Sequence, residues 1–330
     1  MYGAMAAAAG AGLTACGSTA VSAVDLDRFA RGLNNPRGIA FDASGNLLVA
    51  EAGYGTGEEP TGRLTRIDPR GIKTVLIDRL PYGFDPEGEN VGLSSVLPRG
   101  DEILLLMGQG EGDPFQKVLI LEPDVPLHSF NDLGVMSDTI IDILALRNPF
   151  DMAFAPDGWL WIVDSETNDI MRVSPNGRNR ERVVNVAEAM GTDQVPTGID
   201  FGPDGQAYVA MFTRRPHIKR SSWVARIDGQ GQIEPAMLGL TMAIDVAFDA
   251  EGRLHALEFS QAFAIDRPGF YEFDSGRLLR GSGRRTEVLA DGLPFPTAMA
   301  FGPDGYCYIG LNGAFGGRGD GWIGRLSVPA

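Results

Sequence analysis

Glu51, Asp164 and Glu258 occupy one place in a recurring sequence pattern, and Asp151 and Asp245 occupy another. The pattern is clearest in NPFDMAFAPDGWLWIVD (148–164). It is an alternating apolar run, a glycine-containing turn and a second apolar run, which is how a β-hairpin reads. Asp151 and Asp245 open the first run, whereas Glu51, Asp164 and Glu258 close the second. Carboxylates repeated in this way can do two things. If they converge, they can bind Ca²⁺ or another divalent cation, because hard cations take oxygen ligands. If each serves its own repeat, they cap main-chain N–H groups that the loops leave unpaired. Recurrence at one repeat position fits the second role better.

Polar residues cluster at the same loops. Asn35, Asn90, Asn148, Thr197 and Thr297 stand where the chain enters the first run of successive repeats. One loop, TRRPHIKRSS, gathers Arg214, Arg215, His217 and Lys219, the local basic cluster of an acidic chain. It reads either as a docking loop for an anionic ligand or polymer, or as a solvated loop that offsets local acidity. His128, His217 and His255 have no paired spacing, so a histidine zinc site is not expected. His255 alternates with Leu254 and Ala256 and reads as a strand residue.

These loops need a frame, and the repeat supplies one. The turn glycines Gly158, Gly205, Gly252 and Gly305 recur at about the 40–50-residue period of a four-stranded propeller blade. Gly45 stands roughly two periods before Gly158, and VGLSSVLPRGDEILLLMGQG (91–110) fills the gap. Third strands are expected at GRLTRIDPRG, QKVLILEP, NDIMRVSPNG, SWVARIDGQG, GFYEFDSG and GWIGRLSV, and fourth strands at KTVLIDRL, DTIIDILAL, ERVVNVAE, IEPAMLGL and TEVLADGL. The last unit lacks a fourth strand. LDRFARGLNNP (26–36) reads like TEVLADGLPFP (286–296), so the N-terminal strand is expected to complete the last blade. The fold class is all-β: one six-bladed β-propeller over residues 25–330, closed by its N-terminal strand.

The net charge of −15 excludes nucleic acid as a partner, since a phosphate backbone needs a basic surface. Residues 1–24 are rich in Ala and Gly, and Leu13-Thr14-Ala15-Cys16 resembles a lipoprotein processing site. The reading is an exported protein, either lipidated at Cys16 and held to the cell envelope by that anchor alone, or secreted to the periplasm or beyond. A monomer is expected.

Several segments in order, LPYGFDPEGENVGLSSV, NPFDMAFAPDG, VPTGIDFGPDGQAYVAMFT and IDVAFDAEGRLHALEFS, resemble the ScyD/ScyE family. These are NHL-type six-bladed propellers found in scytonemin gene clusters of cyanobacteria and in exported bacterial proteins. The resemblance implies the fold and carries over no catalytic residue. The expected function is a non-catalytic propeller that binds a small-molecule, polymer or protein partner at the channel mouth. The mouth is formed by Asn35, Asn90, Asn148, Asp151, Thr197, Asp245 and Thr297, with Arg214, Arg215, His217 and Lys219 on its rim. The alternative is a metal-dependent hydrolase similar to the SMP-30/gluconolactonase propellers, whose metal ligands open the inner strands. Here those places hold Arg37, Phe150, Thr197, Ile244 and Thr297. Asp151 and Asp245 come one residue later, on the other face of a regular strand.

Overall fold

A computed structural model describes residues 21–22, 25–55, 59–121, 146–192, 194–264 and 270–329. Four of its sheets have four strands, one has five and one has three. These six sheets are the blades. Their innermost strands are Pro36–Phe41, Leu93–Arg99, Pro149–Phe154, Pro196–Phe201, Ala243–Phe248 and Ala298–Phe301. Each packs against the next, and the last packs against the first, which closes a ring around a central channel. Blade two shows three strands among the described residues; Cys16, His128 and all but the last residue of the fourth strand expected at DTIIDILAL lie outside them.

The ring closes as the sequence predicts. Asp27–Leu33 pairs antiparallel with Gly321–Ser327, in the register Asp27 to Arg325 and Leu33 to Gly321. Upstream, Val21–Ser22 adds a short parallel strand to the outer edge of blade five.

The hairpin turns follow from aspartate and glycine. Asp42, Asp68, Asp228 and Asp249 each accept main-chain N–H bonds two and four residues ahead, while the turn glycines adopt positive φ. Between blades, a phenylalanine on the inner strand meets a ring on the preceding blade. Phe41 meets Tyr308 at 5.0 Å, Phe201 meets Trp161 at 5.4 Å and Phe248 meets Tyr208 at 4.8 Å. His255 fills the same place against Phe301 at 4.7 Å, so its role is packing.

Two segments differ from expectation. GFYEFDSG is not the third strand of blade five, which is Gly276–Ser282. ERVVNVAE ends as a strand at Asn185 and continues as a short helix, Val186–Met190. Asn185 caps it by accepting from the N–H of Glu188, and Gly191 ends it at φ 65°.

Candidate functional site at the channel mouth

The carboxylates that close the second strands serve their own blades. Asp164 accepts from the N–H groups of Arg147, Asn148, Glu166 and Thr167 at 2.6–3.1 Å. Glu258 accepts from the N–H of Thr241, from Gln261 and from Arg277 at 2.6–2.7 Å. Glu51 accepts from the N–H of Asn34, from Arg63 and from Thr65. All three are fully buried. An uncapped loop N–H in such a place would cost about 1–3 kcal/mol.

Asp151 and Asp245 depart from that pattern, because each reaches the next blade. Asp151 accepts from the Ser95 hydroxyl at 2.7 Å and from the N–H of Ile199 at 3.0 Å. Asp245 accepts from the N–H of Met299 at 2.6 Å and from its own neighbour Val246 at 2.8 Å. Asp200, which the sequence did not single out, accepts from the N–H of Phe248 at 3.0 Å. Together these acids tie blades two to six along the channel wall. Gly198 leaves room for one of them, since a Cβ there would lie 2.2 Å from Oδ1 of Asp245. Burial pushes Asp151 and Asp200 up to about 6 and raises Asp245 well above its usual value; the Asp151 charge raises Asp200 and Asp245 further.

Hydroxyls make a second ring of ties. Thr197 donates to the carbonyls of Ala210 and Ala243, Ser94 to those of Leu106 and Pro149, and Thr297 to that of Pro36 on blade one. Asn35 and Asn90 hold the loop of blade six. Asn35 donates to Gly53 and Gly316 carbonyls at 2.8 Å, and Asn90 donates to that of Ala314 at 3.1 Å.

Two cavities result. Inside the channel, one of about 350 Å³ is lined by Arg37, Asp151, Asp200, Asp245 and Thr297. Above it, one of about 370 Å³ opens at the mouth. Of the residues singled out in sequence, Asn148, Thr197, Arg214, Arg215 and His217 line the mouth cavity, whereas Lys219 is exposed and does not. Asn35, Asn90, Asp151, Asp245 and Thr297 do not line it.

The residues that sequence reasoning missed come from the connection between blades one and two. Residues 83–91 form a small hairpin, Gly83–Phe84 paired with Asn90–Val91. Asp85 shapes its turn by accepting from the N–H groups of Glu87 and Glu89. Glu87 pairs with Arg215 of blade four, and Glu89 pairs with Arg37 of blade one. Both glutamates line the mouth cavity. The Asx turn was legible in FDPEGEN; the ion pairs to distant blades were not.

The mouth cavity also has an aromatic part. Phe212, Phe259 and Tyr271 line it, and Tyr271 lies 5.2 Å from Phe259, ring to ring. His217 is wedged among them, with Nε2 3.4 Å from the Tyr271 hydroxyl and its ring 4.8 Å from Phe263. Burial holds the imidazole down at about 4, so it is neutral at physiological pH. The imidazole also bonds to the main chain of Thr213, whose own Oγ1 is buried without a hydrogen-bond partner among the described residues.

No protein-family model matches the chain, and no curated protein matches its sequence. Solved structures do match. They include the PQQ-bound aldose sugar dehydrogenase of Streptomyces coelicolor, at 18% identity and TM-score 0.60 over 92% of this chain and 97% of that one. Regucalcin of Agrobacterium tumefaciens, described as a calcium-binding protein, matches at 15% identity and TM-score 0.55 over 94% and 96%. A protein provisionally described as a gluconolactonase matches at 14% identity and TM-score 0.54 over 92% and 94%. The likeness is one of fold. Enzymes and a calcium-binding protein share it, so chemistry must be argued from the residues.

Among the described residues, no three of His, Cys, Asp or Glu gather closely enough to hold a metal ion. The acids expected to do so, Glu51, Asp151, Asp164, Asp245 and Glu258, accept hydrogen bonds within or between blades.

Proposed function

We propose that this chain is a ligand-binding propeller of the ScyD/ScyE kind that takes a small organic molecule into the mouth cavity. The observation that carries the reading is the mouth cavity of about 370 Å³, whose lining combines the rings of Phe212, Phe259 and Tyr271 with the polar side chains of Asn148, Ser165 and Thr197. A concave, largely apolar site with a few convergent polar groups is the usual form of a small-molecule pocket. Export and a lipid anchor at Cys16 belong to the same proposal.

A second reading makes the protein an enzyme acting on that molecule. It is favoured by the similar structures, which are described as a sugar dehydrogenase and a gluconolactonase. Sugars and sugar lactones are therefore the first compounds to try. Calorimetric titration of aldoses and aldonolactones tests both readings, using wild type and a Val195→Trp variant that fills the cavity. Binding that Val195→Trp abolishes supports the mouth site. Equal binding by both proteins would reject it. Turnover of a bound lactone, with metal analysis of the same sample, would favour the enzyme.

A further inference from the structure

Arg214 and Arg215 line the mouth cavity together with the acids Glu87 and Glu89. Arg215 pairs with Glu87, and Arg37 pairs with Glu89 while lying 5.4 Å from the Phe150 ring. Arg214 turns toward the carbonyl of Glu166 at 3.2 Å. The hairpin brings a third acid, Asp85, beside Glu89. Burial pushes both carboxyls up, so this wall already holds its negative charge under strain. His217 is held neutral by burial, as noted above, and Tyr271 stays a neutral phenol for the same reason. An anion entering the cavity would have to displace a glutamate from its arginine or lie against carboxylates. Either way it would lose its own hydration beside the carboxylates of Glu87 and Glu89.

The rest of the lining asks for something different. Phe212, Phe259 and Tyr271 contribute apolar ring surface, and Asn148 and Thr197 contribute polar side chains. From this juxtaposition of matched ion pairs and aromatic ring surface, we infer that the mouth cavity selects an uncharged molecule with an apolar ring face and a hydrogen-bonding edge, and discriminates against its acidic counterpart. Glu87 is the specificity-determining residue, since it pairs with Arg215 at the mouth; Glu89 adds a second carboxylate there and pairs with Arg37, which lines the channel below. The inference rests on the mouth cavity being a binding site, and it reverses the anionic ligand that the basic loop suggests when read alone.

The test uses two dyes with the same ring skeleton and different charge, N-phenyl-1-naphthylamine and 8-anilinonaphthalene-1-sulfonate. Fluorescence titration of the full chain should show the uncharged dye binding at least tenfold more tightly. In Glu87→Gln the sulfonate dye should gain about tenfold while the uncharged dye changes by less than about twofold, because Arg215 is then uncompensated. The double variant Glu87→Gln/Arg215→Met should lose that gain; loosening of the fold would not be reversed by the second change. Wild type preferring the sulfonate, or an unchanged ratio in Glu87→Gln, would overturn the inference and leave the site standing. If Val195→Trp binds both dyes as wild type does, the site itself fails, and the inference with it.

Discussion

Asp151 shows what a single residue does here and how it can be tested. Its carboxyl joins the Ser95 hydroxyl of blade two to the N–H of Ile199 on blade four. A rise from 3.8 to about 6 means that the folded state binds this proton more tightly than the unfolded chain. Its contribution to stability is therefore full below about pH 4 and is lost as pH rises through 6, about 3 kcal/mol over that range. Asn can keep both bonds, with its amide N–H₂ donating to Ser95 and its oxygen accepting from Ile199. Asp151→Asn should accordingly melt higher than wild type at pH 8 and flatten the dependence of melting temperature on pH between 4 and 7. A variant less stable than wild type at pH 8 would show that the carboxylate itself is needed. Asp200→Asn should gain less, because both its oxygens accept from main-chain N–H groups, those of Phe201 and Phe248. The place of Asp151 in the repeat was legible in sequence, but its partner was not. A cap such as Asp164 acts within a few residues along the chain or across one hairpin. A tie between blades depends on how strands pack around the axis, which no local spacing records.

Among the elements, the hairpin of residues 83–91 does most to shape the site, and it was the hardest to read. It has no counterpart in the other blades among the described residues, so a search for repeats passes over it. Its base is fixed: the Asn90 N–H donates to the Ala314 carbonyl at 2.7 Å, and a Cβ on Gly92 would lie 2.3 Å from the Ala52 oxygen. Its tip carries Glu87, whose ion pair with Arg215 joins blades that blade three separates in the ring. The hairpin and the loop of residues 213–221 should then open together. In hydrogen-exchange mass spectrometry, Glu87→Gln should raise exchange in both segments several-fold, with the blade strands unchanged. A rise confined to residues 83–91 would show that the pair does not tether the loop. Other elements left clearer signals. The helix Val186–Met190 is announced by Asn185, Glu188 and Gly191, an N-cap, an acidic first turn and a C-terminal glycine. The aromatic run FYEF misled in blade five because Tyr271 alternates like a strand residue while it packs over the channel mouth.

At the scale of the whole ring, the sequence showed both the blade count and the closure, because each rests on a repeated hydrophobic pattern. Closure also carries the most direct test of the fold. Asp27–Leu33 covers the edge of Gly321–Ser327, which would otherwise present unpaired N–H and C=O groups. It also buries Leu26, Ala30 and Leu33, the last completely, and places Arg28 4.7 Å from the Trp322 ring. Each buried leucine contributes about 1.5–3 kcal/mol. The strand therefore supplies several kcal/mol, and without it blade six becomes a three-stranded sheet beside blade one. Val21–Ser22 makes a smaller contribution, a two-residue parallel pairing to Ala290 and Asp291. Three chains separate these effects: the full length, one lacking residues 1–24 and one lacking residues 1–33. The first truncation should lower the melting temperature slightly, through the lost pairing on blade five. The second should lower it by at least about 5–10 °C and favour association through the bared edge. Adding a synthetic peptide of residues 25–35 to the shorter chain should restore part of the loss, since the missing strand has a defined register to dock into. Equal melting of the two truncated chains, or no rescue by the peptide, would mean that the remaining strands hold the ring without its closing strand.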